Sequence, residues 1–396
     1  MNEVEKFRAS VLATYGANDS ETKELLAYNQ NPFQHDCLST SLEFPLASEV
    51  HLADWKEYAA KAEEIGAFSV LKDVFVQWQF PIQSGISQTE AYRSATLKNG
   101  NRDCLDRDSG LILQHPETLH LFIHQSLAGA IPVLVVEDKA DFVAIVRSLT
   151  KHNEPETIPA SMGACIVSGY NNWARIRNYK QRWRQQNPNS NAEAWKAKFK
   201  RFISYPKLYQ DRFLILSDEF YSNVAPEQLG LTATRWRELS LKIRLEHECT
   251  HYFTYRLFES MRNNLLDELI ADYVGIVSAT GSYRADWFLL FMGLETSDYR
   301  EGGRLQNYLG QPPLSDDAFN LLQRLVRAAA SNLEGFDRMY AQPKTAENLA
   351  LIVFSLTYLT IEELASSQAN DRIKRVLASL RSELLTAQGG KAVTAN

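Results

Sequence analysis

The run His247-Glu248-Cys249-Thr250-His251, with Glu268-Leu269-Ile270-Ala271-Asp272 following after residues 252–267, constrains this chain more than anything else in it. Histidines at i and i+4 share one face of a helix, one turn apart, so their imidazoles can converge on a single ion. Glu248 sits one residue on, about 100° round the helix, where its carboxylate lies beside an open coordination position instead of filling it. Histidine is scarce, 8 of 396 residues, and chance would place this spacing in about one such chain in a hundred. Catalytic zinc takes three protein ligands and a water, so the pattern demands a third ligand nearby.

Leu241 to Arg262 reads as one long helix, Asn263-Asn264 as a turn and N-cap, and Leu265 to Ala279 as a second helix that folds back. Glu268 lies in its first turns, close to where the two helices meet. Asp272 is one turn further along the same face, placed to accept a hydrogen bond from the other ring nitrogen of a ligand histidine. At these residues the chain resembles the gluzincin metallopeptidases, the thermolysin-like group, whose pattern is H-E-x-x-H followed by E-x-x-x-D. The resemblance spans residues 247–272 only. It implies His247, His251 and Glu268 as zinc ligands, Glu248 as general base, and Asp272 as the hydrogen-bond partner of His247. The competing reading is a core helix with a histidine pair, since Ile243, Leu245, Phe253, Leu257 and Phe258 supply an apolar flank.

With 396 residues the chain exceeds the size at which one core stops growing, which predicts two lobes. The expectation is an α+β protein: an N-terminal lobe, 1–230, with a small mixed sheet and helices, and a mainly helical C-terminal lobe, 231–396, carrying the H-E-x-x-H helix. Apolar residues are 45% and charged residues 23% of the chain, as in ordinary folded proteins. A net charge of −6 argues against a nucleic-acid binder. The opening Met1-Asn2-Glu3-Val4-Glu5-Lys6 reads as a soluble helix and not as an export signal. No run of apolar residues is long enough to span a bilayer, so no membrane partner is expected. Cys37, Cys104, Cys165 and Cys249 are scattered, which fits free thiols in a reducing cytoplasm.

In chain order, helices are expected over residues 2–15, Glu21–Tyr28 and Ser48–Gly66. Asp36-Cys37-Leu38-Ser39 echoes the cysteine-ligand motif of peptide deformylases, without that family's glycine motif. Val70–Phe80 reads as a strand, and Lys98–Gly110 as a solvated loop with Asp103, Asp106 and Asp108 in a spacing unsuited to calcium. His120 and His124 form a second i,i+4 pair, read as ordinary helix histidines because no glutamate follows His120. Ile131–Glu137, Met162–Tyr170 and Phe213–Ser217 read as strands, and Lys139–Leu149 as a helix. Gluzincins bind peptide along the edge strand of a sheet. That resemblance makes Gly163–Trp173 the candidate edge, with Asn171, Asn172, Trp173 and Tyr255 as candidate substrate contacts. Arg175–Arg201 is the most basic segment and reads as a solvated helical hairpin broken at Pro188-Asn189-Ser190. Ser315–Leu333, Thr345–Leu364 and Asn370–Thr386 read as helices.

Zinc lowers the pKa of the water it binds to near 7, and a glutamate beside it can take the proton. The function expected is therefore a zinc-dependent hydrolase, most simply a cytoplasmic metallopeptidase acting through Glu248. A zinc hydrolase of non-peptide amides or esters stays open, and so does a non-catalytic binding protein. Glu248 counts against the last, since a structural metal needs no free carboxylate beside it. Tyr255, Arg284, Tyr299 and Tyr308 are positional candidates for a donor that steadies a developing oxyanion.

Overall fold

Mixed α+β architecture is what the computed structural model shows, and it describes residues 2–35, 42–97, 110–259 and 264–393. Cys37 with its deformylase-like motif, Asn263, and Asp103, Asp106 and Asp108 lie outside the described residues. In chain order come α1 (Glu3–Thr14), α2 (Asp19–Tyr28), α3 (Leu52–Ile65), α4 (Ala67–Val74) and α5 (Glu90–Thr96). Then follow β1 (His120–Ser126), β2 (Gly129–Val136), α6 (Lys139–Thr150), β3 (Ala164–Asn171), α7 (Trp173–Gln186), α8 (Ala192–Phe202) and β4 (Gln210–Ser217). The remainder is helical: α9 (Ala233–Phe258), α10 (Leu265–Thr280), α11 (Ala285–Met292), α12 (Asp316–Met339), α13 (Ala346–Leu356), α14 (Ile361–Ala365) and α15 (Ala369–Val393).

These elements group into two compact units. One comprises residues 48–125 and 129–219, and the other residues 1–47, 126–128 and 220–396. The second boundary falls near the expected one at 230, but the first 47 residues cluster with the carboxy-terminal helices instead of the sheet. The reason is visible in α1 and α2: Arg8 donates to both carboxylate oxygens of buried Glu362 and to the carbonyls of Leu26 and Asn29. A buried charge of this kind is tolerable only with its partners in place.

The sheet unit is built on four strands in the order β1-β2-β4-β3. β2 is buried along its whole length, as its apolar run Ala130–Val136 suggests, and pairs parallel with β4, the connection between them passing through α6, β3, α7 and α8. β3 pairs antiparallel with β4 and forms an edge, with a shift in register between Ser168 and Tyr170 where Gly169 takes a φ of 78°. The core beneath holds Trp55, Phe75, Trp78, Phe142 and Phe213. Two expectations fail here. Val70–Phe80 is not a strand: α4 occupies 67–74 and a short tight helix Val76–Gln79 follows. Ala67, Val70, Leu71 and Val74 are all buried, the i, i+3, i+4, i+7 stripe of a helix, and this outweighs the β propensity of the Val-Phe-Val run. His120 and His124 lie on β1 and not on a helix, so no turn of helix brings them together. His120 sits beside Glu137 at 3.2 Å in solvent. The basic segment is the expected hairpin, α7 and α8, zipped by Trp183 against Trp195 with the Lys180 ammonium over the Trp195 ring.

The helical unit centres on α10, which packs against α9, α11 and α13. Leu265, Leu266, Leu269, Ile270, Ala271, Tyr273, Val274, Ile276 and Val277 bury it on every side, as its composition requires. The expected single helix Thr345–Leu364 is divided into α13 and α14, because Thr360 starts a new helix with a capping box closed by Glu363. No helix among the described residues is long and apolar enough to cross a membrane.

Candidate metal centre

Two caps fix where the site's helices begin. Thr232, one of the two threonines that the sequence offers as a cap for the long helix, accepts from the backbone N–H of Arg235 at 3.2 Å and starts α9. Asn264 accepts from Leu266 N–H at 2.9 Å and starts α10. A six-residue connection, 259–264, then obliges the two helices to run back alongside each other. Gly275 sets how closely they approach: a Cβ built there would stand 2.8 Å from the Ile243 carbonyl oxygen and 3.1 Å from its Cγ2. Ile243 is one turn before His247 on α9, and Gly275 is one turn after Asp272 on α10. This close approach of the pair therefore lies directly beside the histidines and acids.

His247, His251 and Glu268 converge there, and their ligand atoms all lie within 4.8 Å of one another. His247 Nε2 and His251 Nε2 face each other at 3.0 Å. Glu268 closes the triangle, Oε1 at 3.3 Å from His251 Nε2 and Oε2 at 3.6 Å from His247 Nε2. Ligands bound tetrahedrally at about 2.0–2.1 Å stand about 3.3 Å apart, so a zinc-sized ion fits these three atoms without rearrangement. The donor set, two imidazole nitrogens and one carboxylate oxygen, suits that ion.

The outer nitrogens of both rings are taken. His247 Nδ1 donates to Asp272 Oδ1 at 2.8 Å, and His251 Nδ1 donates to Asp267 Oδ2 at 2.8 Å. Asp267 Oδ1 also accepts from Thr254 Oγ1 at 3.2 Å. These bonds settle the ring orientation and leave both Nε2 atoms turned to the common point. Glu248 lies on the next position of α9, half-buried, and among the described residues no donor is bonded to its carboxylate.

Electrostatics follow from burial and pairing. Burial alone would raise Glu268, but its hydrogen bond to His251 and the charges of His247, His251 and Arg304 hold it far below the usual carboxylate range. Asp272 is likewise lowered, burial being overcome by Arg304 and His247. Burial disfavours protonated His251, yet Asp267 and Glu268 outweigh it and raise its pKa well above the usual value. The Tyr221 hydroxyl is pushed well above its ordinary range, mainly by burial.

Three residues at this cluster escaped the sequence reading. Asp267 adjoins the Glu268 that was read. Its signal was present: it is one of three acids in a helix otherwise apolar on all sides, and a buried acid must be paired. Tyr221 donates to Asp272 Oδ1 at 2.6 Å, and Arg304 reaches Asp272 Oδ2 at 2.6 Å and Glu268 Oε2 at 3.3 Å. Each is the first residue of a short tight helix, Tyr221–Asn223 and Arg304–Tyr308, and no spacing rule points to them. Of the donor candidates, Tyr308 stands near Glu268, and its hydroxyl pKa is raised chiefly by burial and next by the Glu268 charge. Tyr255 is half-buried on the turn of α9 after His251. Tyr299 donates to the Gly303 carbonyl at 2.7 Å, and Arg284 pairs with Asp286. The candidate substrate contacts on β3 belong to the sheet unit, where the Asn171 side chain accepts from Gln210. Asn172 caps α7 and donates to buried Asp211 at 2.6 Å, and the Trp173 indole donates to the Thr96 carbonyl. Asn172 and Trp173 are thus buried in that unit's interior and do not line the exposed edge of β3.

A family model described as "Family of unknown function (DUF7005)" matches residues 10–368. No curated protein matches the chain. No solved structure matches it either.

Proposed function

We propose that this chain, which belongs to the family DUF7005, is a zinc-dependent hydrolase and within that class a metallopeptidase, with His247, His251 and Glu268 as metal ligands and Glu248 as general base. The observation that carries the reading is the convergence of the three ligand atoms within 4.8 Å. A bound zinc ion would polarise a substrate carbonyl and lower the pKa of a coordinated water to near 7.

The chain's own residues supply the remaining requirements. Asp272 and Asp267 hold the histidine tautomers whose Nε2 lone pairs meet the ion. Arg304 and the two histidines keep Glu268 ionised, so it meets a cation without first losing a proton. Glu248 takes the proton of the attacking water and returns it to the leaving nitrogen, a role worth about 10²–10⁴-fold in rate. The preference for peptide rests on the resemblance of residues 247–272 to gluzincins. Cytoplasmic residence is part of the same proposal, supported by Cys165 and Cys249, neither of which forms a disulfide among the described residues.

Metal analysis together with a peptide-library cleavage screen tests this. We expect about one equivalent of zinc in wild type and in Glu248→Gln, and none in His247→Ala, as for a single three-ligand site. Cleavage should survive in wild type only. A Glu248→Gln chain that cleaves as fast as wild type removes the general base, and a wild-type chain that takes up no zinc removes the proposal.

A further inference from the structure

Beside the cluster, two short segments are built at some cost to deliver one side chain each. Residues 220–223 carry Tyr221, and next to it Ser222 and Asn223 both hold positive φ, 53° and 55°. Serine rarely adopts that backbone, and such strain persists only where surroundings enforce it. The loop after α11 carries Arg304. Immediately before it, Gly303 lies so close to Gly293 and Met292 that a Cβ there would fall 2.5 Å from the Gly293 Cα and 2.5 Å from the Met292 carbonyl oxygen. Gly293 itself holds a φ of 79°, and Arg300 N–H bonds its carbonyl at 2.8 Å. The chain is pinned there so that the next residue points at the cluster.

Arg304 spends both terminal nitrogens at once. Nη1 donates to the Tyr221 hydroxyl at 2.7 Å and to Ser222 Oγ at 3.2 Å, and Nη2 donates to Asp272 Oδ2 at 2.6 Å and Glu268 Oε2 at 3.3 Å. Its Nε is buried as well. The guanidinium lies over the Tyr221 ring, 5.3 Å from its centre. Tyr221 donates its own proton to Asp272 Oδ1, the atom that also receives His247 Nδ1–H. No terminal nitrogen of Arg304 is left for a substrate.

We infer that Arg304 and Tyr221 are positioning residues for the metal: a clamp that fixes Asp272, and through it His247, while holding Glu268 in the direction of the ion. This rests on the metal-site reading above. Only a planar fork can reach Tyr221, Asp272 and Glu268 together, so the geometry of Arg304 and not merely its charge is required. A counter-charge alone would act oppositely, since a positive group beside the site repels the incoming cation.

The two ideas separate in zinc affinity, measured on the purified full-length chain by competition with a chromophoric chelator. Tyr221→Phe, Arg304→Lys and Arg304→Met should each weaken zinc binding by about 10–100-fold, the usual effect of losing a partner that orients a metal ligand. Arg304→Lys at wild-type affinity, or Arg304→Met binding zinc more tightly, overturns the clamp. The metal-free melting temperature is read in parallel. A melting temperature that falls while the folded protein keeps wild-type zinc affinity also overturns it, because the residues would then be merely structural. Tyr221→Phe removes a single oxygen and keeps the test open if an Arg304 variant fails to fold. A wild-type chain that takes up no zinc, like His247→Ala, fails the metal reading itself and is distinguishable from failure of the clamp alone.

Discussion

Asp267 shows how a single residue completes the site and how little the sequence advertises it. It is 2% exposed, accepts from both His251 and Thr254, and lies one position from the glutamate that the motif identifies. We expect Asp267→Asn to fold and to weaken zinc binding by about 10–100-fold, with His251 losing the charged acceptor that steadies its ring. Unchanged affinity in a chelator competition would show that His251 is oriented without it. The histidines, Glu268 and Asp272 were legible because they sit at helical spacings along two adjacent helices, where local geometry settles direction. Tyr221 and Arg304 were not, because they reach the cluster from 26 residues before His247 and 32 residues after Asp272. Contacts at that range depend on how loops close, and no periodicity records it. Asp267 belongs to an intermediate class. Its signal is the presence of three acids inside an otherwise apolar helix, because each buried acid needs a partner.

At the level of the element, the crossing of α9 and α10 is what turns spacing into a site, and Gly275 controls it. Alanine normally stabilises a helix interior over glycine by about 1 kcal/mol. Here the added methyl would meet the Ile243 backbone at 2.8 Å, and neither helix can yield without moving the other. We therefore expect Gly275→Ala to be destabilising by about 1–3 kcal/mol, as for overpacking elsewhere, and to weaken zinc binding because Glu268 lies on the displaced helix. Thermal unfolding and zinc titration of the variant check both parts. A Gly275→Ala chain more stable than wild type, with undiminished affinity, would mean that the close approach is incidental. The same scale explains what was misread. In α4 the stripe Ala67, Val70, Leu71, Val74 is overlaid by a Val-Phe-Val run, and in β1 an i,i+4 pair suggests a helix where buried Leu121 and half-buried Ile123 alternate with exposed His120 and Phe122, as in a strand. Short apolar segments satisfy both periods, and only packing partners decide between them. α9 and α10 are long enough for period and caps to agree, which is why the site-bearing elements were the readable ones.

For the molecule as a whole, the proposed metal would link protons and stability, with signs that follow from the cluster. In the metal-free protein His251 has a pKa raised by Asp267 and Glu268. Its charge therefore adds stability that is complete below the unfolded value of about 6.5 and is lost as pH rises through the folded one. Asp272 and Glu268 are lowered, so their contribution is present above the ordinary carboxylate range of about 4 and disappears as pH falls through the folded values. The metal-free chain should consequently be most stable in mildly acid solution, between these two limits, and should weaken toward pH 8. Zinc bound as proposed would invert the upper limb. A ligand histidine must be neutral, so on the proposed reading zinc would have to displace the proton on His251, and this would cost less as pH rises. Binding to the folded chain alone adds about 2.7 kcal/mol at a hundredfold excess over Kd. The rise in melting temperature on adding stoichiometric zinc to chelator-treated protein should therefore grow steadily from pH 6 to pH 8. His251→Ala, which removes both the proton and the ligand, should lose the zinc effect and flatten the alkaline decline of the metal-free protein. A zinc-induced shift that is constant over this range, or that shrinks as pH rises, would mean that the ion is held by groups other than these histidines.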